Sequence, residues 1–241
     1  MKQSKKRIGL YILFFICILT SALLIMVQFS QNTIVESVLK QEEKPTGNGY
    51  EETNAENDNT GLKPDYNPDN VEPLNVLNVL KYKRHENKAI SKGRLIIPDV
   101  GIDLKIYEGL NNVHLVLGAA EQRPRSEVVA GGVGNYILAA HSSLHSDDED
   151  FLFTPLRKVK AGNIILVTDK YNLYVYEAEY GKIFDRDATE PLNEDFNDAR
   201  ITLYTCLSRE QFSLGRFVVR GLLKDTIKLE NVMDSEYGKY F

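Results

Sequence analysis

The segment RITLYTC, residues 200–206, has the pattern of a β-strand and ends on a cysteine. Side chains in a strand alternate between its two faces, so Thr202, Tyr204 and Cys206 share one face and the residues between them share the other. Cys206 lies where this strand gives way to the loop LSREQFSLG. The segment therefore predicts a strand that presents a thiol at the edge of a sheet.

Similar short runs, rich in β-branched and aromatic residues, surround this segment from residue 93 onward, with Gly, Asn, Asp and Pro between them. Such runs with few helical stretches favour a mostly β fold, a closed or nearly closed barrel of about eight strands with short helices. The predicted strands are RLIIPDV, IDLKIYEG, VHLVLGAA, NYILAAH, NIILVTD, LYVYEAEYGKIF, RITLYTC and RFVVRGLL.

Two arginines in GRFVVRG, Arg216 and Arg220, point to the same face of their strand because they are four residues apart. If this strand forms an antiparallel hairpin with residues 200–206, its start lies beside the end of the first strand. Arg216 is then the neighbour of Cys206, and Arg220 lies roughly 13 Å further along, near the level of Thr202. We expect Arg216 to be the functional arginine.

The chain has four histidines, and one of them could exchange a proton with the Cys206 thiol. His141 closes the strand NYILAAH and is held by that strand, which favours it. His145, in the polar loop SSLHSDDED, is the main rival. His85 lies in a charged run, and His114 opens the predicted strand VHLVLG; ordinary surface roles are expected for both.

The N-terminus carries a basic segment, residues 1–7, followed by the apolar run IGLYILFFICILTSALLIMV, residues 8–27. At about 1.5 Å per residue this run spans roughly 30 Å, the thickness of a bilayer core. A cleaved signal peptide is the alternative, although its apolar region is usually shorter. The basic residues before the run favour a single-pass anchor with the N-terminus inside, which leaves the rest of the chain outside the cytoplasm.

After this run the composition becomes polar and acidic over residues 28–70, which predicts a flexible stalk. Residues 71–85, VEPLNVLNVLKYKRH, have leucines near the helical period and predict a short amphipathic helix at the start of a folded domain, residues 71–241.

Composition excludes some classes of function. The net charge is −5 and no basic block lies in the body of the chain, so a nucleic-acid partner is not expected. The two cysteines are Cys17, inside the apolar run, and Cys206. They form neither a disulfide framework nor, with the scattered histidines, a structural zinc site.

The motifs NYILAAH, TLYTC and RFVVRG, in this order behind an N-terminal anchor, resemble those of the sortases, the cysteine transpeptidases of Gram-positive bacteria. The resemblance extends from about Gly93 to Leu223, and GRLIIPDVGIDLKIYEG is similar to the opening strands of class A members. Many members have glycine at the position of Ala140. No lid motif or C-terminal span is recognised, which also favours class A.

The resemblance implies a sortase β-barrel that acts on surface proteins with a C-terminal LPXTG-like signal. It implies that Cys206 attacks the threonine carbonyl, that His141 is the general acid and base, and that Arg216 stabilises the oxyanion. An amine of the peptidoglycan precursor then resolves the thioester. Further motif positions imply a peptide groove lined by Ala139, Tyr204 and Thr205.

The sequence also bears on cofactors and on two alternative functions. No cofactor is expected. Some sortases bind calcium, and Glu108 with the acidic loop at 147–150 could supply oxygen ligands, but solvated acidic residues are the simpler interpretation and no metal is assigned. A cysteine peptidase that only hydrolyses and a stalked binding module with a structural cysteine stay open as alternatives.

Overall fold

Eight strands close into a barrel in the computed structural model, which describes residues 2–39, 47–51, 62–142, 151–185, 188–192, 196–207 and 215–241. Of residues 2–6 and 27–39 it describes the backbone only. The predicted eight-stranded barrel is therefore confirmed. Its strands are β1 (Ser91–Ile97), β2 (Ile102–Glu108), β3 (Ala119–Glu121), β4 (Gly134–Ala139), β5 (Ile164–Thr168), β6 (Asn172–Asp185), β7 (Ala199–Cys206) and β8 (Gly215–Lys228).

The order of strands around the barrel is β1-β2-β3-β4-β7-β8-β6-β5, and β5 pairs with β1 to close it. The pairs β2–β3 and β4–β7 are parallel, and the other pairs are antiparallel. In a parallel pair both strands end at the same edge, whereas an antiparallel neighbour begins there. The ends of β4 and β7 and the beginning of β8 therefore lie together at one rim.

The two faces of β7 enter different apolar clusters. Ile201 and Leu203 are fully buried in the main core, which collects residues from all eight strands. Tyr204, on the opposite face, belongs to a smaller cluster with Ala139 of β4 and Val218 of β8. The face that carries Cys206 is thus the outer face of the barrel wall, with a thin apolar layer of its own.

The prediction of a strand over VHLVLG is wrong. Residues Asn112–Leu117 form a helix, α3, whose first turn is capped by Asn111: its Oδ1 accepts a hydrogen bond from Val113 N at 2.9 Å. His114 is buried, stacks on Tyr107 and lies with Nδ1 3.2 Å from the carbonyl oxygen of Gly109. Every residue from 113 to 117 is buried, so the apolar run carried no period that could separate helix from strand.

The N-terminal helix α1 spans Lys2–Leu39 and is longer than the predicted apolar run. Its segment Arg7–Met26, of mean hydropathy 2.7, is long and apolar enough to cross a membrane, and none of it is buried against the rest of the protein. The helix α2, Val76–Lys83, lies within the stretch predicted to be helical. Its buried side is formed by Val79, whereas Leu77 is 78% exposed.

Two pieces of the predicted stalk pack on the barrel, which differs from a freely solvated spacer. Glu51 N donates to Ser91 O at 3.0 Å, and the guanidinium of Arg94 donates to Gly47 O at 2.9 Å. Leu110 N donates to Asp65 O at 2.5 Å. Residues 40–46 and 52–61 of the predicted stalk lie outside the described part of the chain.

Candidate active site

Three neighbouring strands, β4, β7 and β8, share one face outside the main core, which is exposed at Cys206 and buried one level below it. Cys206 lies opposite Arg216 in the β7–β8 pair, at the rim. One level below, Tyr204 is paired with Ala139 on one side and with Val218 on the other. Residues two apart in a strand share a face, so the rim and the apolar level below it form one continuous surface.

The thiol of Cys206 is free and exposed. The backbone of Cys206 is fixed at the end of β7, where its carbonyl oxygen accepts a hydrogen bond from Ser142 Oγ at 2.7 Å. The next residue continues the hairpin, with Leu207 N donating to Gly215 O at 3.0 Å. The nucleophile candidate is therefore an exposed atom on a fixed strand end.

His141 is brought beside Cys206 because the chain beyond β4 keeps following β7. Ala140 N donates to Tyr204 O at 3.4 Å, and Ser142 Oγ donates to Cys206 O. His141 lies between these two tethered residues, with its carbonyl oxygen accepting from Phe153 N at 3.0 Å. This parallel continuation places His141 at the level of Cys206.

The imidazole of His141 is partly buried, and its desolvation lowers the pKa to about 4. It is therefore neutral at pH 7, and a neutral imidazole can accept a proton. Of its rivals, His114 is buried in α3 and His85 is exposed near α2. His145 lies outside the described residues.

The two arginines of β8 occupy the levels that the hairpin register predicts. Arg216 is directly opposite Cys206, and Arg220 is directly opposite Thr202. The Arg216 guanidinium lies 5.4 Å from the centre of the Tyr204 ring, which carries it over the apolar level beside the thiol. Burial raises the pKa of Tyr204 to about 12, so this neighbour stays a neutral phenol.

Thr205 differs from the other two residues expected to line a peptide groove. Ala139 and Tyr204 lie on the outer face, in the apolar cluster just described. Thr205 lies on the opposite face, is 1% exposed, and donates from Oγ1 to Ala140 O at 2.8 Å. Its expected place in the groove is corrected: it fastens β7 to the chain that carries His141.

Three polar residues of this region were not singled out by the sequence: Ser142, Asn135 and Thr202. Ser142 supports the Cys206 carbonyl, and Thr202 Oγ1 donates to Asn135 Oδ1 at 2.7 Å. Asn135 and Thr202 are 1% and 0% exposed. Their signal was present in the sequence, as polar side chains on the strand face that carries the thiol.

No group of three or more His, Cys, Asp or Glu able to hold a metal is found among the described residues. Glu108, considered above as a calcium ligand, accepts a hydrogen bond from Tyr66 OH at 2.9 Å. The acidic residues at 147–150 lie outside the described part of the chain.

Strand pairing and the backbone tethers thus bring Cys206, His141 and Arg216 to one rim, above an apolar cluster. A thiolate is a strong nucleophile, an imidazole can carry its proton, and a guanidinium can donate hydrogen bonds to an oxyanion without losing its charge. This set can perform acyl transfer through a covalent intermediate.

Comparisons with known proteins agree with this chemistry. A sortase domain model matches residues 95–224, which include all three rim residues. Sortase A of Listeria monocytogenes is 35% identical over 169 residues, 70% of this chain and 72% of the relative. Sortase A of Streptococcus agalactiae is 29% identical over 170 residues, 70% of this chain and 67% of the relative.

A solved structure of Listeria monocytogenes sortase A shares the fold with a TM-score of 0.51 and 39% identity, covering 58% of this chain and 94% of that one. The described barrel, the matched domain and the relatives at this level of identity lead to one conclusion. The chain belongs to the sortase family of cysteine transpeptidases, with similarity to sortase A enzymes.

Proposed function

We propose that the protein is a membrane-anchored sortase that cleaves an LPXTG-like signal between threonine and glycine and joins the surface protein to an amine of the peptidoglycan precursor. The observation that carries the proposal is the rim itself: Cys206 and Arg216 are paired residues, and His141 is tethered at the same level. Family membership supports the class of reaction.

In the first half-reaction the Cys206 sulfur attacks the threonine carbonyl carbon. The thiol proton passes to the imidazole of His141, which is neutral at pH 7 because burial lowers its pKa. Arg216 donates hydrogen bonds to the oxyanion that forms, an interaction whose loss typically costs 10²–10³-fold in rate. The imidazolium then gives its proton to the glycine nitrogen as the C–N bond breaks, which leaves a thioester.

In the second half-reaction an amine nitrogen attacks the thioester carbonyl. His141 accepts a proton from that nitrogen, a new amide bond forms, and the C–S bond breaks as the proton returns to the Cys206 sulfur. No oxidation or reduction takes place. Water can attack the same thioester, so transfer depends on how well the site favours the amine over water.

The apolar surface below the rim gives the acyl fragment a place to bind. Tyr204, Ala139 and Val218 form its buried base, and the partly buried Leu192 and Phe184 pack against them and border the site. An extended peptide lying on this surface reaches the rim at its scissile bond. The apolar segment of α1, Arg7–Met26, serves as the anchor, with the basic N-terminus inside.

The test is mass spectrometry of the full-length protein in detergent with an LPETG-containing peptide. We expect an adduct on Cys206 with the mass of the acyl fragment, its loss on adding an amine, and an amide product of peptide and amine. Cys206→Ala forms neither. An amide product without any Cys206 adduct, or hydrolysis product alone at saturating amine, contradicts the proposal.

A further inference from the structure

Polar side chains of β4, β7 and β8 converge on a single carbonyl below the apolar level of the same face. Arg220 Nη2 donates to Pro191 O at 2.5 Å, and Asn135 Nδ2 lies 3.4 Å from the same oxygen. Thr202 gives its one proton to Asn135 Oδ1 at 2.7 Å, which orients the amide. We name Asn135, Thr202 and Arg220 the polar clamp.

Both described limbs of the connection between β6 and β7 contact Arg220. Its guanidinium lies 4.8 Å from the Phe196 ring and 5.6 Å from the Tyr180 ring, and it donates to Pro191 on the other limb. Pro191 is buried at the centre of the short 3-10 helix Glu190–Leu192. A charged hydrogen bond to a buried carbonyl is one of the stronger contacts a protein makes, so Arg220 fixes where this helix lies.

Leu192, the residue after Pro191, links the polar clamp to the binding site. Leu192 packs against the cluster that contains Tyr204, Ala139 and Val218. Moving the Pro191 carbonyl therefore moves Leu192 relative to this surface. The clamp therefore sets the position of Leu192, which forms one wall of the site over this buried base.

The level of the clamp also fixes which part of a peptide it affects. Arg220 is four residues from Arg216 on the same face of β8, a separation of about 13 Å. An extended peptide covers that distance in about four residues. The acyl side must stay bound until the amine arrives, so the residue at the level of the clamp is the one about four positions before the scissile bond.

We propose that Arg220, acting through the Pro191 carbonyl, is a positioning residue that sets the enzyme's preference for an apolar side chain at the start of the sorting signal. This inference rests on the proposed function. Arg220 does not touch the reacting atoms. Its effect belongs to binding and selectivity, since Leu192 is the contact that it places.

The decisive variant is Arg220→Met, which keeps the length of the side chain and removes its donors. We expect the KM for an LPETG peptide to rise about tenfold, as for loss of a charged hydrogen bond, with kcat changed less than about twofold. The preference for LPETG over APETG, measured as a ratio of kcat/KM, falls by about the same factor. Arg220→Lys recovers part of both, and Lys224→Met, an exposed site on the same strand, changes neither.

Combining Arg220→Met with Leu192→Ala tests whether Arg220 acts by placing Leu192. If Arg220 acts by placing Leu192, the two effects on KM do not multiply. Multiplying effects, or a loss of kcat with KM and selectivity unchanged, overturn the inference. Should Arg220→Met fail to fold by circular dichroism, Thr202→Val is measured instead, and an unchanged KM and selectivity there overturn it equally.

Failure of this inference is distinct from failure of the proposed function. A wild-type protein that transfers no LPETG peptide contradicts the function, whatever the variants do. A wild-type protein that is active, beside an Arg220→Met variant with wild-type KM and selectivity, contradicts the clamp alone.

Discussion

The rim and the polar clamp lie on the same three strands, four residues apart, yet they hold their side chains in opposite ways. At the rim Cys206 is exposed, and the structure shows no ion pair for Arg216 among the described residues. In the clamp Thr202 is fully buried and Arg220 is bound to a carbonyl and two aromatic rings. One face thus separates side chains available to a substrate from side chains occupied by the protein itself.

Removing Arg216 and removing Arg220 test this separation most directly. We expect Arg216→Ala to lower kcat/KM for an LPETG peptide at least 100-fold, mainly through kcat, because it removes the oxyanion donor. Arg220→Ala lowers kcat/KM about tenfold, mainly through KM. Steady-state kinetics of both variants check this, with thermal melting as the control for folding. Equal losses, or a larger loss for Arg220→Ala, contradict the division of roles.

The register of β7 and β8 could be predicted because the hairpin is local and both strands show clear alternation. The position of His141 could not be derived in this way. It depends on the parallel pairing of β4 with β7, which joins segments far apart in the sequence and leaves no local signal. Only the family resemblance placed His141 beside Cys206 at the level of sequence.

The failures have physical causes as well. The buried helix α3 has an apolar residue at nearly every position, so it reads equally well as a strand. Gly47 and Asp65 bind the barrel through backbone carbonyls, which composition cannot reveal. Thr205 matches a motif position, but its odd place in the alternation puts it on the inner face.

The desolvation of the His141 imidazole can be measured by its titration. Because burial lowers the pKa of His141 to about 4, we expect its ring resonances to show no titration midpoint between pH 5 and pH 8 in the folded protein. The unfolded chain takes up a proton near pH 6.5, so this site costs stability as the pH falls from about 6.5 to 4, by up to about 3 kcal/mol. NMR titration with and without urea checks both states.

Stability measurements give the matched control. His141→Gln, which cannot titrate, loses less stability than the wild type over the same pH interval, as urea unfolding at pH 7 and pH 5 will show. A His141 resonance that titrates near pH 6.5 in the folded protein means that the imidazole is fully exposed to solvent. The imidazole then begins the reaction partly protonated.

The smallest expected effects come from the hydroxyl groups that support each level. Ser142→Ala removes the donor to the Cys206 carbonyl and loosens the strand end that carries the thiol, so we expect kcat to fall about threefold with little change in KM. Thr202→Val removes the proton that orients Asn135, so we expect KM to rise about threefold with little change in kcat. Steady-state kinetics on one LPETG peptide separate the two.

Both substitutions delete one hydroxyl and one hydrogen bond, so a purely structural role predicts the same pattern for both. The opposite split between kcat and KM is expected only if the two levels of this face serve chemistry and binding separately.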